Sequence, residues 1–198
     1  TENIMQISKT EKNIKNHYNA VFSDIEWLCA QKHIFNEYRN IVQNNSKINI
    51  CHSFYAFIND TYSITLFMGI RRHVKHFKRF KAQSYSLINL LYELKSCFSI
   101  KGDQENLNAV GKDIEMIEMY SKKYEVIIDK RIPHLDKDVI GKSTIYNIYE
   151  LEECVESLYK CTMHYFSIIC PDCGYVRVPI PDGETWKDIF KVPWIEEK

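Results

Sequence analysis

Pro133 is the only proline before Pro171, and the remaining three follow at Pro179, Pro181 and Pro193. A proline in a helix interior deletes a backbone hydrogen bond and clashes with the preceding turn, so long proline-free stretches leave the chain open to extended helix. Apolar spacing then decides between helix and strand. Ile25, Leu28, Ile34, Tyr38 and Ile41 recur at helical intervals, and so do Phe54, Phe57, Ile58, Tyr62, Phe67, Ile70, Val74 and Phe77. Ser8 with Glu11, and Ser23 with Glu26, stand at capping-box spacing, which predicts two helices in succession starting near residues 9 and 24. A third is expected over residues 53–78, where Gly69 is the only glycine. Ser86 is positioned to cap a short helix through Leu87, Leu90, Leu91 and Leu94. After a turn at SIKGDQ, Asp103 can cap a long one through Leu107, Val110, Ile114, Ile117, Tyr120 and Tyr124. Pro133 disfavours helix at Ile132 and so ends it. A last helix is expected over residues 149–168. The chain is therefore expected to be all-α, an up-and-down bundle of about five to six helices over residues 1–169. An irregular proline-rich tail over 170–198 would pack on it through Trp186, Phe190 and Trp194.

Hydrophobic residues make up 45% and charged residues 26%, enough apolar side chain for one core without metal or disulfide staples. The seven cysteines are odd in number and scattered through helical patterns, unlike a disulfide framework, which points to a reducing compartment. The opening TENIMQISKTEKNIKNHYN is polar and lacks the apolar centre of a secretory signal. No run approaches the roughly 18 apolar residues that a membrane span needs. A cytoplasmic protein with no membrane partner is the expectation. Lys plus Arg and Asp plus Glu both number 26, and this balance argues against a surface that coats nucleic acid as a whole. Basic charge is concentrated locally instead, in RRHVKHFKRFK from Arg71 to Lys81.

Polar chemistry concentrates at Asp129, Lys130, Arg131, His134 and Asp136, around the expected end of the long helix. An imidazole exchanges protons near neutral pH and a guanidinium stabilises charge building on a phosphate, a pairing suited to phosphodiester chemistry. The same cluster is equally a helix end with dipole-favoured cations followed by a solvated turn. Arg71, Arg72 and His73 supply further candidate phosphate contacts. A separate set, Cys161, His164, Cys170 and Cys173, has donor types that suit structural zinc, with CPDC as half of a knuckle and no second CxxC pair. Buried free thiols are the alternative. GKST at residues 141–144 lacks the first glycine of a phosphate-binding loop, so it is taken as a turn or cap.

The segment IIDKRIPHLDKD resembles the arginine, polar, then histidine motif of HEPN domains, in the RDKxxAHxD form of abortive-infection members. FMGIRRHVKHFKRFKAQSYSLINLLYELK is similar to that family's double-arginine helix and the SLxxLL helix after it, and WKDIFKVPWI is similar to its ending. The likeness runs in order from about Ser53 to Trp194. It implies a helical bundle, usually dimeric, whose motif lines a cleft between protomers, and metal-independent ribonuclease activity in toxins or phage-defence effectors. Carried over, His134 would be the general acid or base, Asp129 the polar residue ahead of it, and Lys130 or Arg131 phosphate contacts. The family's arginine falls at Ile128, so Arg131, Arg71 or Arg72 would have to replace it. The expected partners are RNA, a second copy of the chain, and an antitoxin or other protein, with no cofactor apart from the zinc alternative. A catalytically inactive helical module that binds a protein or nucleic acid is the rival expectation.

Overall fold

In the computed structural model, the residues described are 2–44, 52–76, 85–126 and 147–171. They form α1 (Glu2–Gln43), α2 (His52–Val74), α3 (Leu87–Lys101), α4 (Gln104–Val126), α5 (Ile148–His164) and the single turn α6 (Phe166–Ile169). This is the expected all-α, up-and-down bundle.

The termini of α3 and α4 follow from local chemistry. Ser86 is extended and accepts from the Asn89 N–H at 3.4 Å, satisfying one donor of the first turn of α3. At the other end Gly102 adopts φ 70°, with its N–H on the Ser99 carbonyl at 3.3 Å and the Asp103 N–H on Phe98 at 3.0 Å. That pair of bonds is a Schellman stop, and the left-handed residue it needs is the glycine. Asp103 then accepts from the Asn106 N–H at 3.1 Å and starts α4.

α1 departs from the expectation. Its 42 residues run without a break, and the capping-box pair Ser23 and Glu26 lies in mid-helix. Tyr18, Val21, Phe22, Ile25 and Leu28 bury one unbroken stripe through that point. Removing a large apolar side chain from water is worth about 1.5–3 kcal/mol, whereas a cap contributes about 1 kcal/mol. The stripe therefore overrides the local start signal. The expected last helix is divided instead: Tyr165 ends α5 and α6 follows.

Cross-helix contacts give the directions. Tyr18 donates to the Thr162 carbonyl, Lys32 pairs with Glu156, and Arg39 donates to Glu152, so α1 and α5 are antiparallel. Asp24 with Arg72, Phe35 with Tyr62 and Tyr38 with Tyr55 set α2 antiparallel to α1. Tyr165 with Asp113, Tyr120 with Ser157 and Tyr124 with the Glu150 carbonyl do the same for α4 and α5. Leu66, Ile70, Leu90, Leu91, Val110, Ile117, Leu151 and Leu158 meet at the centre with no accessible surface.

Two polar ties cross this core. His17 bridges α1 to α3, with its Nδ1 at 3.0 Å from Glu93 and its Nε2 accepting from the Ser86 N–H at 3.1 Å. Arg39 and Tyr62 both donate to Glu152 Oε1, at 3.1 and 3.3 Å, joining α1, α2 and α5. The guanidinium also sits 4.9 Å above the Phe35 ring and 5.0 Å from that of Tyr149. Among the described residues, no helix is long and apolar enough to cross a membrane. α6 ends at Ile169, and residues 172–198, which hold most of the expected tail with Trp186, Phe190 and Trp194, lie outside the described residues.

Candidate functional site

Ile128, Asp129, Lys130, Arg131, His134 and Asp136 lie outside the described residues, but the helix ends that flank them are well defined. Tyr124, near the end of α4, donates to the Glu150 carbonyl in the first turn of α5 at 3.3 Å, and Lys123 pairs with the Glu150 carboxylate at 2.7 Å. Asn147 caps α5 by accepting from the Tyr149 N–H at 3.0 Å. The described residues on either side of 127–146 therefore lie at one end of the bundle, on helices already pinned together.

The cationic end of α2 separates into two faces. Arg72 grips Asp24 of α1 with both carboxylate oxygens, at 2.6 and 2.7 Å, and His73 bonds the same carboxylate at 2.9 Å. His73 is 1% exposed, and its other ring nitrogen, Nδ1, has no hydrogen-bond partner among the described residues. Burial lowers the His73 pKa from its ordinary value against the pull of Asp24. The ring is thus neutral, with Nε2–H as donor, since a proton on Nδ1 would be buried without an acceptor. Asp24 is held below the usual carboxylate range, chiefly by the His73 hydrogen bond, with Arg72 adding to it.

Arg71 faces elsewhere. It stands one turn beyond Phe67, whose ring meets that of Tyr124 edge-on at 6.0 Å. Residues four apart share a helix face, so Arg71 is on the α2 face toward α4, and because those two helices are antiparallel it stands one turn further than Phe67 from the end of α4. Of the three cationic candidates on α2, then, Arg72 and His73 pair with Asp24 of α1, and Arg71 lies on the α4 side, away from the end of α4. Further along, the His76 ring stacks on Tyr92 of α3 at 5.4 Å.

The zinc candidates are partly described. Cys161 is buried beside Asp113 of α4, whereas Cys170 is buried against Asn19 of α1, 4.0 Å from its side-chain oxygen. His164 meets the Tyr165 ring edge-on, and Cys173 lies outside the described residues. Among the described residues, no three His, Cys, Asp or Glu side chains converge on a metal position. Burial pushes the Cys29 thiol up to about 11, that of Cys154 up to about 12, and that of Cys161 higher still. These three are therefore protonated packing groups rather than nucleophiles.

Two features escaped the sequence. Asp24 was masked by the capping-box spacing around it, and its partners are 48 and 49 residues away. An open groove of about 650 Å³ between α4 and α5 also has no motif; its lining includes Glu105, Lys112, Asp113, Lys160, Cys161 and His164. The only signal was polar residues recurring at helical spacing on one face of each helix. No family model, curated protein or solved structure matches the chain.

Proposed function

We propose that this chain is a HEPN-type helical protein of the toxin or phage-defence kind that acts on RNA by transesterification at the ribose hydroxyl. His134 moves the proton, Asp129 orients it, and Arg131 and Lys130 hold the phosphate. The observation that carries this reading is the α4–α5 junction, where Tyr124 and Lys123 hold Glu150, so that the described chain on either side of residues 127–146 is fixed at one end of the bundle. Arg131 would then stand in for the arginine that Ile128 replaces. The reading includes a cytoplasmic setting, a homodimer and an antitoxin-type partner, and it requires no metal.

Arg72 and His73 serve the fold instead, through Asp24, and this favours one alternative: a module that binds RNA or a protein without turnover. The test is cleavage of a panel of RNAs by purified protein, by His134→Ala, by Arg131→Ala and by Arg72→Ala. Loss of one transition-state contact should lower the rate about 10²-fold or more for Arg131→Ala, with little change for Arg72→Ala. RNA left uncut by the wild-type protein and by His134→Ala alike removes the nuclease reading. Salt-sensitive RNA retention without cleavage selects the binding module.

A further inference from the structure

The groove between α4 and α5 has its own chemistry. Its α4 wall is Glu105, Asn108 and Lys112; its α5 wall is Ser157, Lys160 and His164; Asp113, Met116 and Cys161 form the floor. Ligand sites commonly occupy about 300–1,000 Å³, so about 650 Å³ is room for a small metabolite.

Among the described residues, Lys112, Lys160 and His164 make no ion pair, and they line the groove from α4 (Lys112) and α5 (Lys160 and His164). The carboxylate nearest them is already occupied: Asp113 accepts from the Tyr165 hydroxyl at 2.6 Å and lies within hydrogen-bond reach of the Cys161 thiol. Its charge is thus directed into the protein floor. Two ammonium groups and an imidazole lining one groove suit an oxyanion carrying more than one charge, for which lysine is an effective point-charge partner. Glu105 lies seven residues before Lys112 on the same face, about 10 Å along the helix axis. That end, with Asn108, offers acceptors and a donor for hydroxyl groups. Among the described residues no Phe, Tyr or Trp lines the groove, so none of them provides a stacking platform for a nucleobase.

We propose that the α4/α5 groove binds a small sugar phosphate, its phosphate held by Lys112, Lys160 and His164 and its hydroxyls by Glu105 and Asn108. The proposal is independent of any action on RNA.

The test is calorimetric titration of the intact protein with glucose 6-phosphate, fructose 6-phosphate, ribose 5-phosphate, inorganic phosphate, AMP and glucose. At least one sugar phosphate should bind saturably and more tightly than inorganic phosphate, with glucose silent and AMP no better than phosphate. Lys112→Gln and Lys160→Gln should each weaken that binding about tenfold, the loss of one charged hydrogen bond. Lys122→Gln, on the same helix outside the groove, should leave it unchanged. All three lysines are exposed, so the variants keep the fold, which an unchanged melting temperature will verify. The proposal is overturned if no sugar phosphate or phosphate binds at millimolar concentration. It is also overturned if Lys122→Gln weakens binding as much as Lys112→Gln, or if AMP outcompetes every sugar phosphate.

Discussion

His73 and Asp24 share one hydrogen bond and respond to acid in two separate windows. The folded His73 pKa lies below its ordinary 6.5, so as pH falls the unfolded chain takes up a proton first. Its contribution to stability is complete above about pH 6.5 and is lost as pH drops through the lowered folded value. Asp24 is also depressed, from 3.8; its contribution is present above that value and is lost only in stronger acid. Melting temperature followed from about pH 7.5 to about pH 5 should therefore fall in the wild type and flatten in His73→Gln. Equal slopes would show that the buried ring does not titrate in this range. Glu152 is a different case. It is 5% exposed and anchors both Arg39 and Tyr62. Glu152→Ala should cost about 3–5 kcal/mol in urea denaturation, since it strands a guanidinium in the interior; a loss under about 1 kcal/mol would mean that water reaches Arg39. Neither pairing was legible in the sequence, because each joins residues on different helices and leaves no local pattern.

What could be read at the level of helices was whatever short-range chemistry controls. Ser86, Gly102 and Asp103 each act within a few residues of themselves, and the boundaries they set for α3 and α4 match the expectation closely. Ser23 and Glu26 carry an equally good local signal that has no effect, because the buried stripe of α1 passes through them. Gly69 shows the converse, a residue whose reason lies wholly on a neighbouring helix. A Cβ built there would come within 2.4 Å of Leu28 Cδ2, and Leu28 is itself buried at 4% exposure. Gly69→Ala would gain up to about 1 kcal/mol of helix propensity, while overpacking costs typically about 1–3 kcal/mol. The expected outcome is a net loss of about 1 kcal/mol, measured by chemical denaturation. Net stabilisation would mean that α1 and α2 separate more easily than their packing implies.

Across the molecule, fold class was the most accessible property, since proline placement and apolar period both act over tens of residues. Candidate chemistry was accessible only as a list of residue types. The motif around His134 rests on resemblance, and the α4/α5 groove comes from two helices whose polar faces look ordinary until they are set side by side. α1 spans about 63 Å at 1.5 Å per residue, against about 26 Å for the 17 residues of α5. The long helix is therefore the common support against which α2, α3 and α5 are placed. At this scale the decisive measurement is the RNA cleavage comparison with His134→Ala, because it addresses the residues on which the proposed chemistry depends.

The contacts of Tyr124 and Lys123 with Glu150 join the two flanks of segment 127–146 before that segment begins. Those ties are made by α4 and α5 themselves, so the two helices carry the means of their own pairing. Loss of either tie, by Tyr124→Phe or Lys123→Gln, would loosen the junction from which both flanks start.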